Sequence, residues 1–448
     1  MYINLITIDL CPGQGGGGVK PSGTLDISEN GVYDVYSYAS ASVDVHPSAS
    51  LSETYISNGS YNITGEFNGG VITVDVPAPQ FVTETLNVSA NGTYNPGEGI
   101  DGYSQVVVDV PISGWDQKSF TEEIITFINI DNSASFVASE VFKDNKNIQT
   151  VNLPYATSVG NYAFQSCRSL SQVSLPVCSY IGKGAFYYCT SLFQINLPVC
   201  SYIDIYAFNN CYSLTQLSLP MCSYISEAAF NNCASLTQVS LPVCSKIEYG
   251  GFSYCIKLVQ VSLPECGEID YGVFKNCKSL SQISLPMCSK MGDYAFEDCT
   301  SLFQISLPVC NEIGYQAFGG CTSLSQINLP VCSMVSGYAF YYCTSLTQVN
   351  LPVCGEIGYG TFRFCTSLTQ LSLPMCSKMG DYVFYDCSSL SIITIGYSSV
   401  CSLNGSMNFT NTQITSSTGS IYVPASLVDS YKSANYWSYF STQIFPIE

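Results

Sequence analysis

The chain has 448 residues, of which only 10% are charged and 46% hydrophobic, with 33 tyrosines and 23 cysteines. A formal net charge of −19 with 14 basic residues leaves no electrostatic footprint for nucleic acid or an anionic membrane. The single histidine, His46, excludes most imidazole catalysis and most metal sites, and no stretch reaches the apolar length of a membrane span.

The N-terminal "MYINLITIDL" (residues 1–10) reads as a strand. It has no basic n-region and carries Asp9 inside its apolar run, which argues against a secretory signal and for a soluble chain that does not leave its cell by the general route. The next segment, "CPGQGGGGVKPSG" (residues 11–23), formally contains G-x-G-x-x-G. Pro21 follows and no helix can open there, so it is a tether and not a phosphate loop. A strand isolated by that tether cannot satisfy its own backbone groups. Ile3, Leu5, Ile6 and Ile8 are therefore expected to anchor the chain by strand addition to another protein.

Residues 24–111 hold three related segments, each an alternating strand, an Asn-Gly turn (Asn30, Asn58, Asn91), a tyrosine and a second strand ending in D-V and a proline. They predict three small tandem β modules. In residues 112–141, Ser119 and Glu122 have capping-box spacing. Ile125, Ile128 and Ile130 instead match the repeat that follows, one residue out of register, and predict a degenerate first rung.

From residue 142 to 395 the chain repeats. Prolines from Pro154 to Pro374 recur every 22 residues without exception, and phenylalanines from Phe142 to Phe384 keep the same period. A fixed period of this length means a solenoid of stacked units. Leu170, Val173, Leu175, Cys178 and Ile181 read L-x-x-V-x-L-x-x-C-x-x-I, the leucine-rich-repeat pattern, with one short parallel strand per turn. About six apolar side chains per unit contribute ~10–18 kcal/mol gross, while ordering one unit's backbone costs roughly 20–40 kcal/mol. A unit folds only between neighbours. Two residues after each LPxC cysteine the column reads Tyr180, Tyr202, Tyr224, Lys246, Glu268, Lys290, Glu312, Met334, Glu356, Lys378. Aromatic follows aromatic and charges alternate in sign, which makes sense only if residues 22 apart touch. The "AF-x-x-C-x-S-L" half of the unit resembles the BspA-like class of leucine-rich repeat over residues 125–395.

Apart from Cys11 and Cys401, the cysteines form two columns at alternating spacings of 11. No C-x-x-C cluster offers a metal site. A ladder of identical thiols gives a disulfide no reason to choose its partner, so reduced, buried, structural thiols are expected. The glutamines from Gln172 to Gln370, with Ser174 and Asn196 starting the column beside them, predict a polar ladder of stacked amides. Variation concentrates just before the second cysteine, at Tyr187, Tyr188, Asn209, Asn210, Asn231, Asn232, Tyr254, Tyr341, Tyr342 and Tyr385. Tyrosine and asparagine suit recognition, and these are the candidate ligand contacts.

After the last rung, residues 396–448 read as a strand and a helix whose Leu427, Tyr431, Trp437 and Phe440 close the core. This segment and "NGTYNPGEGIDGYSQVVVDVP" resemble sequences that flank BspA-like repeats in tail and fibre proteins of phages and prophages from gut bacteria. The resemblance implies a non-enzymatic virion component on the particle surface, held to other virion proteins by its N-terminal strand and adhering to a host surface protein or glycan. The alternative is a BspA-like bacterial surface adhesin that binds host proteins. Neither reading calls for a catalytic residue, a metal, a cofactor, nucleic acid or membrane insertion.

Overall fold

The computed structural model describes residues 136–137, 139–146 and 148–447. Before them it describes the strand backbones Leu5–Ile6, Gly23–Ile27, Ser40–Val45, Tyr61–Asn62, Gly70–Asp75, Thr85–Val88, Gln105–Val108 and Phe127–Ile130. The repeats build a parallel β-solenoid. In the unit that starts at Leu170, Gln172–Ser174 is a strand with Val173 inward and its neighbours outward, as the period of two requires. Pro176 cannot donate to a ladder and ends the strand in a turn closed by the Cys178 N–H on the Leu175 carbonyl, 3.3 Å. A second strand, Tyr180–Ile181, puts Tyr180 out and Ile181 in. Tight turns through Phe186 and Cys189 bring the chain back.

There are thus two parallel strands per turn where the sequence pattern predicted one. The second ladder is a continuous 13-stranded sheet from Phe136–Val137 to Ser402–Leu403. It carries the alternating column in the expected register, Lys246 opposite Glu268 and Glu268 opposite Lys290, with Lys290–Glu312 at 3.8 Å and Lys378–Glu356 at 3.6 Å. The glutamine strands pair in parallel at intervals of 22, Gln172 opposite Gln194 and Gln238 opposite Gln260. They do not form one unbroken sheet. The ladder is interrupted after Gln194–Asn196, Gln304–Ser306 and Gln348–Asn350. Each interruption falls where this strand position changes between Asn and Ser, although the changes from Asn152 to Ser174 and from Ser174 to Asn196 leave the ladder intact. Asn350 bridges directly to Asn328 at 2.7 Å.

The core is a set of columns. Leu170, Leu175, Cys178, Ile181, Phe186 and Cys189 are completely buried, and so are their equivalents in nearly every unit. The phenylalanines stack from Phe142–Phe164, ring centroids 5.0 Å apart, to Phe384–Phe409 at 5.5 Å. All cysteines among the described residues are free and buried. The column after each phenylalanine donates across a rung, Cys189 Sγ to the Phe164 carbonyl at 3.0 Å and Cys255 Sγ to Phe230 at 3.3 Å. The other column donates within its own turn, Cys178 Sγ to Tyr180 at 3.3 Å.

At the C-terminal end, Ser420–Val423 and Ile444–Pro446 extend the first ladder, and a six-residue helix, Val428–Ser433, covers it. Tyr431, Trp437 and Phe440 are buried against the end of the core, with Phe440 edge-on to Phe409 at 5.0 Å. At the other end, Phe127–Ile130 pairs with Thr150–Asn152, Ile128 opposite Val151, as a first rung one residue out of step. Gln105–Val108 and Thr85–Val88 continue that ladder in parallel. The two strands of the third predicted module therefore lie side by side in the solenoid's own sheet, where they cover an edge that would otherwise expose unpaired N–H and C=O groups. Gly23–Ile27, Ser40–Val45 and Gly70–Asp75 share one further sheet, so strands of the first two modules pair with each other. Asn30, Asn58 and Asn91 lie outside the described residues. Leu5–Ile6 pairs antiparallel with Tyr61–Asn62, which gives the N-terminal strand an edge within its own chain. Its supposed isolation was the physical ground for an intermolecular anchor, and that ground is removed. Ile3 and Ile8 lie outside the described residues.

Candidate recognition surface

The variable pairs sit in the turn that follows each phenylalanine. The second member of each pair is left-handed, with φ of 60° at Tyr188, 62° at Asn210, 60° at Asn232, 61° at Tyr254 and 60° at Tyr342. Asparagine tolerates that conformation; a tyrosine there costs roughly 1–2 kcal/mol. The candidates do not converge on one site. Asn209 is buried, with its amide donating to the Ala228 carbonyl at 3.4 Å, while Asn210 bonds Asn209 and Asn232 bonds Asn210 at 2.8 Å. The asparagines spend their polar groups on one another, and with Asn231 beside them they form an internal stitch. Tyr187 and Tyr188 meet edge-on at 4.6 Å near Tyr206 and Tyr212. Tyr341, Tyr342 and Tyr385 gather several rungs away around Phe364, and Arg363 lies 4.8 Å from the Tyr385 ring. Tyr254 is exposed between the two groups.

A more continuous feature lies at the corner where the second strand enters the turn. From Tyr249 onward every unit places one tyrosine there: Tyr249, Tyr271, Tyr294, Tyr315, Tyr338, Tyr359 and Tyr382. Successive ring centroids are 4.9, 5.0, 5.4, 5.7, 5.3 and 5.3 Å apart. The ring is constant in space but not in register. Tyr294, Tyr338 and Tyr382 occupy a position one residue later than the others, and each has φ of 57–59°. A Cβ on Gly360 would stand 2.9 Å from the Tyr338 ring, so that unit carries its own ring one residue earlier, at Tyr359, whereas the unit after Tyr294 holds Gln316, with φ of 50°, at the same place.

Each late tyrosine between two neighbours contacts both rings, as Tyr294 and Tyr338 do, and two aromatic pairs at ~0.5–1.5 kcal/mol each offset the ~1–2 kcal/mol of its left-handed backbone. No single sequence column declares this ribbon, because its members are spread over two. The signal available was one tyrosine per unit at either of two adjacent positions.

Beside the ribbon runs an open groove of about 440 Å³ lined by Met334, Glu356, Tyr359, Lys378, Asp381 and Asn404. Beside it the rungs at Gly358 and Gly380 pack closely on the preceding turn, since a Cβ at either would strike that turn's backbone within 2.3–2.6 Å. Among the described residues, no group of three or more His, Cys, Asp or Glu is placed to hold a metal ion.

The model for a BspA type leucine rich repeat region matches residues 115–237, 223–333 and 311–433, most of the chain. The chain belongs to the BspA-type leucine-rich repeat family. No curated protein matches it. Among solved structures it is similar to a leucine rich cell surface protein from Faecalibacterium prausnitzii, at 22% identity and a TM-score of 0.39 over 69% of this chain and 86% of that one. It is likewise similar to a leucine-rich repeat protein from Bacteroides ovatus, at 24% identity and 0.39 over 67% and 92%. A third is the pneumococcal vaccine antigen PcpA, at 17% and 0.39 over 78% and 93%.

This BspA-type solenoid presents hydroxyl donors along its ribbon. Partial burial, reinforced by neighbouring tyrosines, raises the Tyr294, Tyr315 and Tyr359 phenols above their ordinary value, so they stay protonated. Asp293 and Asp381 lie on the same corner, and Glu356 and Lys378 face each other across the groove. Most of the thiols are chemically quiet, while hydrogen bonds with Cys310 and Cys401 lower Cys288 and Cys376. Burial pushes Cys178 up to about 11 and Cys255 to about 12, far from the thiolate that nucleophilic or metal chemistry needs. The arrangement can hold a partner over a long track.

Proposed function

We propose that the protein is a non-catalytic adhesion solenoid displayed on a bacterial surface. The observation that carries this reading is the tyrosine ribbon, a continuous and partly exposed aromatic track on a rigid scaffold. Membership of the BspA-type family supports the bacterial-surface adhesin over the virion component. The virion role rests on the flanking segments alone, and the family match does not reach residues 1–114. Among the described residues no helix is long and apolar enough to cross a membrane. The buried thiols are compatible with an oxidising exterior, because disulfide exchange needs an accessible thiolate.

Two measurements test the proposal. Antibody against the solenoid should label intact producing cells and not purified phage particles induced from them; labelling of particles alone would restore the virion role. The purified full-length protein should bind cells of a neighbouring bacterium or a host epithelium saturably, and non-saturable binding to every surface would defeat the adhesion reading.

A further inference from the structure

We infer that the ribbon from Tyr249 to Tyr382 is the binding track for an extended, neutral polysaccharide; this rests on the adhesion reading and assigns its ligand class. Three observations on the corner point the same way. The track is one ring wide and repeats at 4.9–5.7 Å, so its partner must be a long polymer that offers an equivalent group at each step. An extended chain of pyranose rings does this, presenting alternating apolar C–H faces and hydroxyl edges with an advance close to the rung spacing.

The polar groups beside the rings suit hydroxyls. Phenol O–H groups donate, and the second carboxylate oxygens of Asp293 and Asp381 accept, the first oxygen of each being taken by the backbone N–H groups of Tyr315, Tyr382 and Met407, while Glu356 accepts beside its partner Lys378. The charge balance disfavours a polyanion: the chain carries −19, Lys275, Lys290 and Lys378 are paired with Glu297, Glu312 and Glu356, and Arg363 is packed among the Phe364, Tyr382 and Tyr385 rings. A peptide strand is the poorer occupant. The backbone groups of the second ladder are engaged by neighbouring rungs from Phe136–Val137 to Ser402–Leu403, which leaves no edge along the track for strand addition.

The test uses the full chain and calorimetric titration with cellohexaose, xylohexaose and mannohexaose, with heparin and polygalacturonate as polyanionic comparators. At least one neutral oligosaccharide should bind saturably, and neither polyanion should compete. Tyr271→Ala, Tyr315→Ala and Tyr359→Ala combined should weaken that binding at least tenfold while the melting temperature falls by only a few degrees. Tyr294→Gly with Tyr338→Gly removes four ring contacts but relieves two left-handed backbones, so melting should stay within a few degrees of the parent while affinity falls. Undiminished binding by either variant overturns the track, as does preference for a polyanion. Failure of all three neutral sugars, with cell binding by the unaltered protein intact, overturns the track and leaves the adhesion reading standing. Absence of cell binding as well removes both.

Discussion

Cys255 shows what the repeated thiols contribute. Its side chain is fully buried, and its S–H reaches the Phe230 carbonyl one rung away. Cys255→Ala should lower stability by about 1–2 kcal/mol, from lost packing plus a weak hydrogen bond. A urea midpoint unchanged from the parent would show that the column is inert filler. The same burial predicts a pH limit. Cys178, Cys222 and Cys332 are pushed up to about 11, and Cys255, Cys266 and Cys354 to about 12, from an ordinary 9.0. A raised folded-state pKa means that the unfolded chain releases its protons first. Stability is therefore complete below about pH 9 and falls from there towards pH 11–12, by roughly 1.4 kcal/mol per pH unit for each thiol. Six such thiols suffice to exhaust the ~5–15 kcal/mol of a typical domain within about one to two units. Circular dichroism should show cooperative unfolding near pH 10–11, and a solenoid still folded at pH 11.5 contradicts the account.

At the scale of the element, the rung is the unit of tolerance. Deleting residues 244–265 removes one period of 22, and Cys266 then follows Val243 in the phase that Cys244 had. Every buried column closes over the gap, so the shortened protein should fold with a melting temperature within a few degrees of the parent. Deleting residues 244–264 leaves the chain one residue out of phase. A one-residue slip moves inward side chains outward in both ladders, so this variant should be insoluble or lose its cooperative melt. Equal behaviour of the two deletions would mean that register is not what holds the stack together.

For the whole molecule, stability depends on closing the ends, because contacts are between neighbours and an open terminal rung exposes both core and sheet edge. The C-terminal closure centres on Trp437, whose Nε1 donates to the Cys401 carbonyl at 2.6 Å and whose ring packs on Phe409 and Tyr431. Truncation after residue 419 uncovers Ile392–Ile395 and Phe409. It should produce aggregation in sedimentation and fast hydrogen exchange that begins at the C-terminal rungs and fades towards the middle. Trp437→Ala is the milder version, with a local cost of ~3–5 kcal/mol. Uniform exchange along the solenoid after truncation would contradict a nearest-neighbour stack.

Strict periodicity made most of this protein legible from its residues. A column that repeats every 22 positions declares its own contacts, so the buried phenylalanine and cysteine columns, the pairing of Lys290 with Glu312 and the terminal cap through Tyr431 and Trp437 could be read without coordinates. Features that break the period could not. The second ladder is only two residues long, too short for alternation to declare it. Thr85–Val88 pairs with Gln105–Val108 at an offset of 20 and Phe127–Ile130 with Thr150–Asn152 at 23, so the N-terminal strands depart from the period even though Gln105–Val108 meets Phe127–Ile130 at 22. The candidate contacts Asn209 and Tyr188 varied freely in sequence, yet one is buried in a hydrogen-bonded stitch and the other is held in a left-handed turn. The tyrosine ribbon is the clearest case. Its rings are spread over two adjacent sequence positions, and only the stacking of one turn on another brings them into a single line.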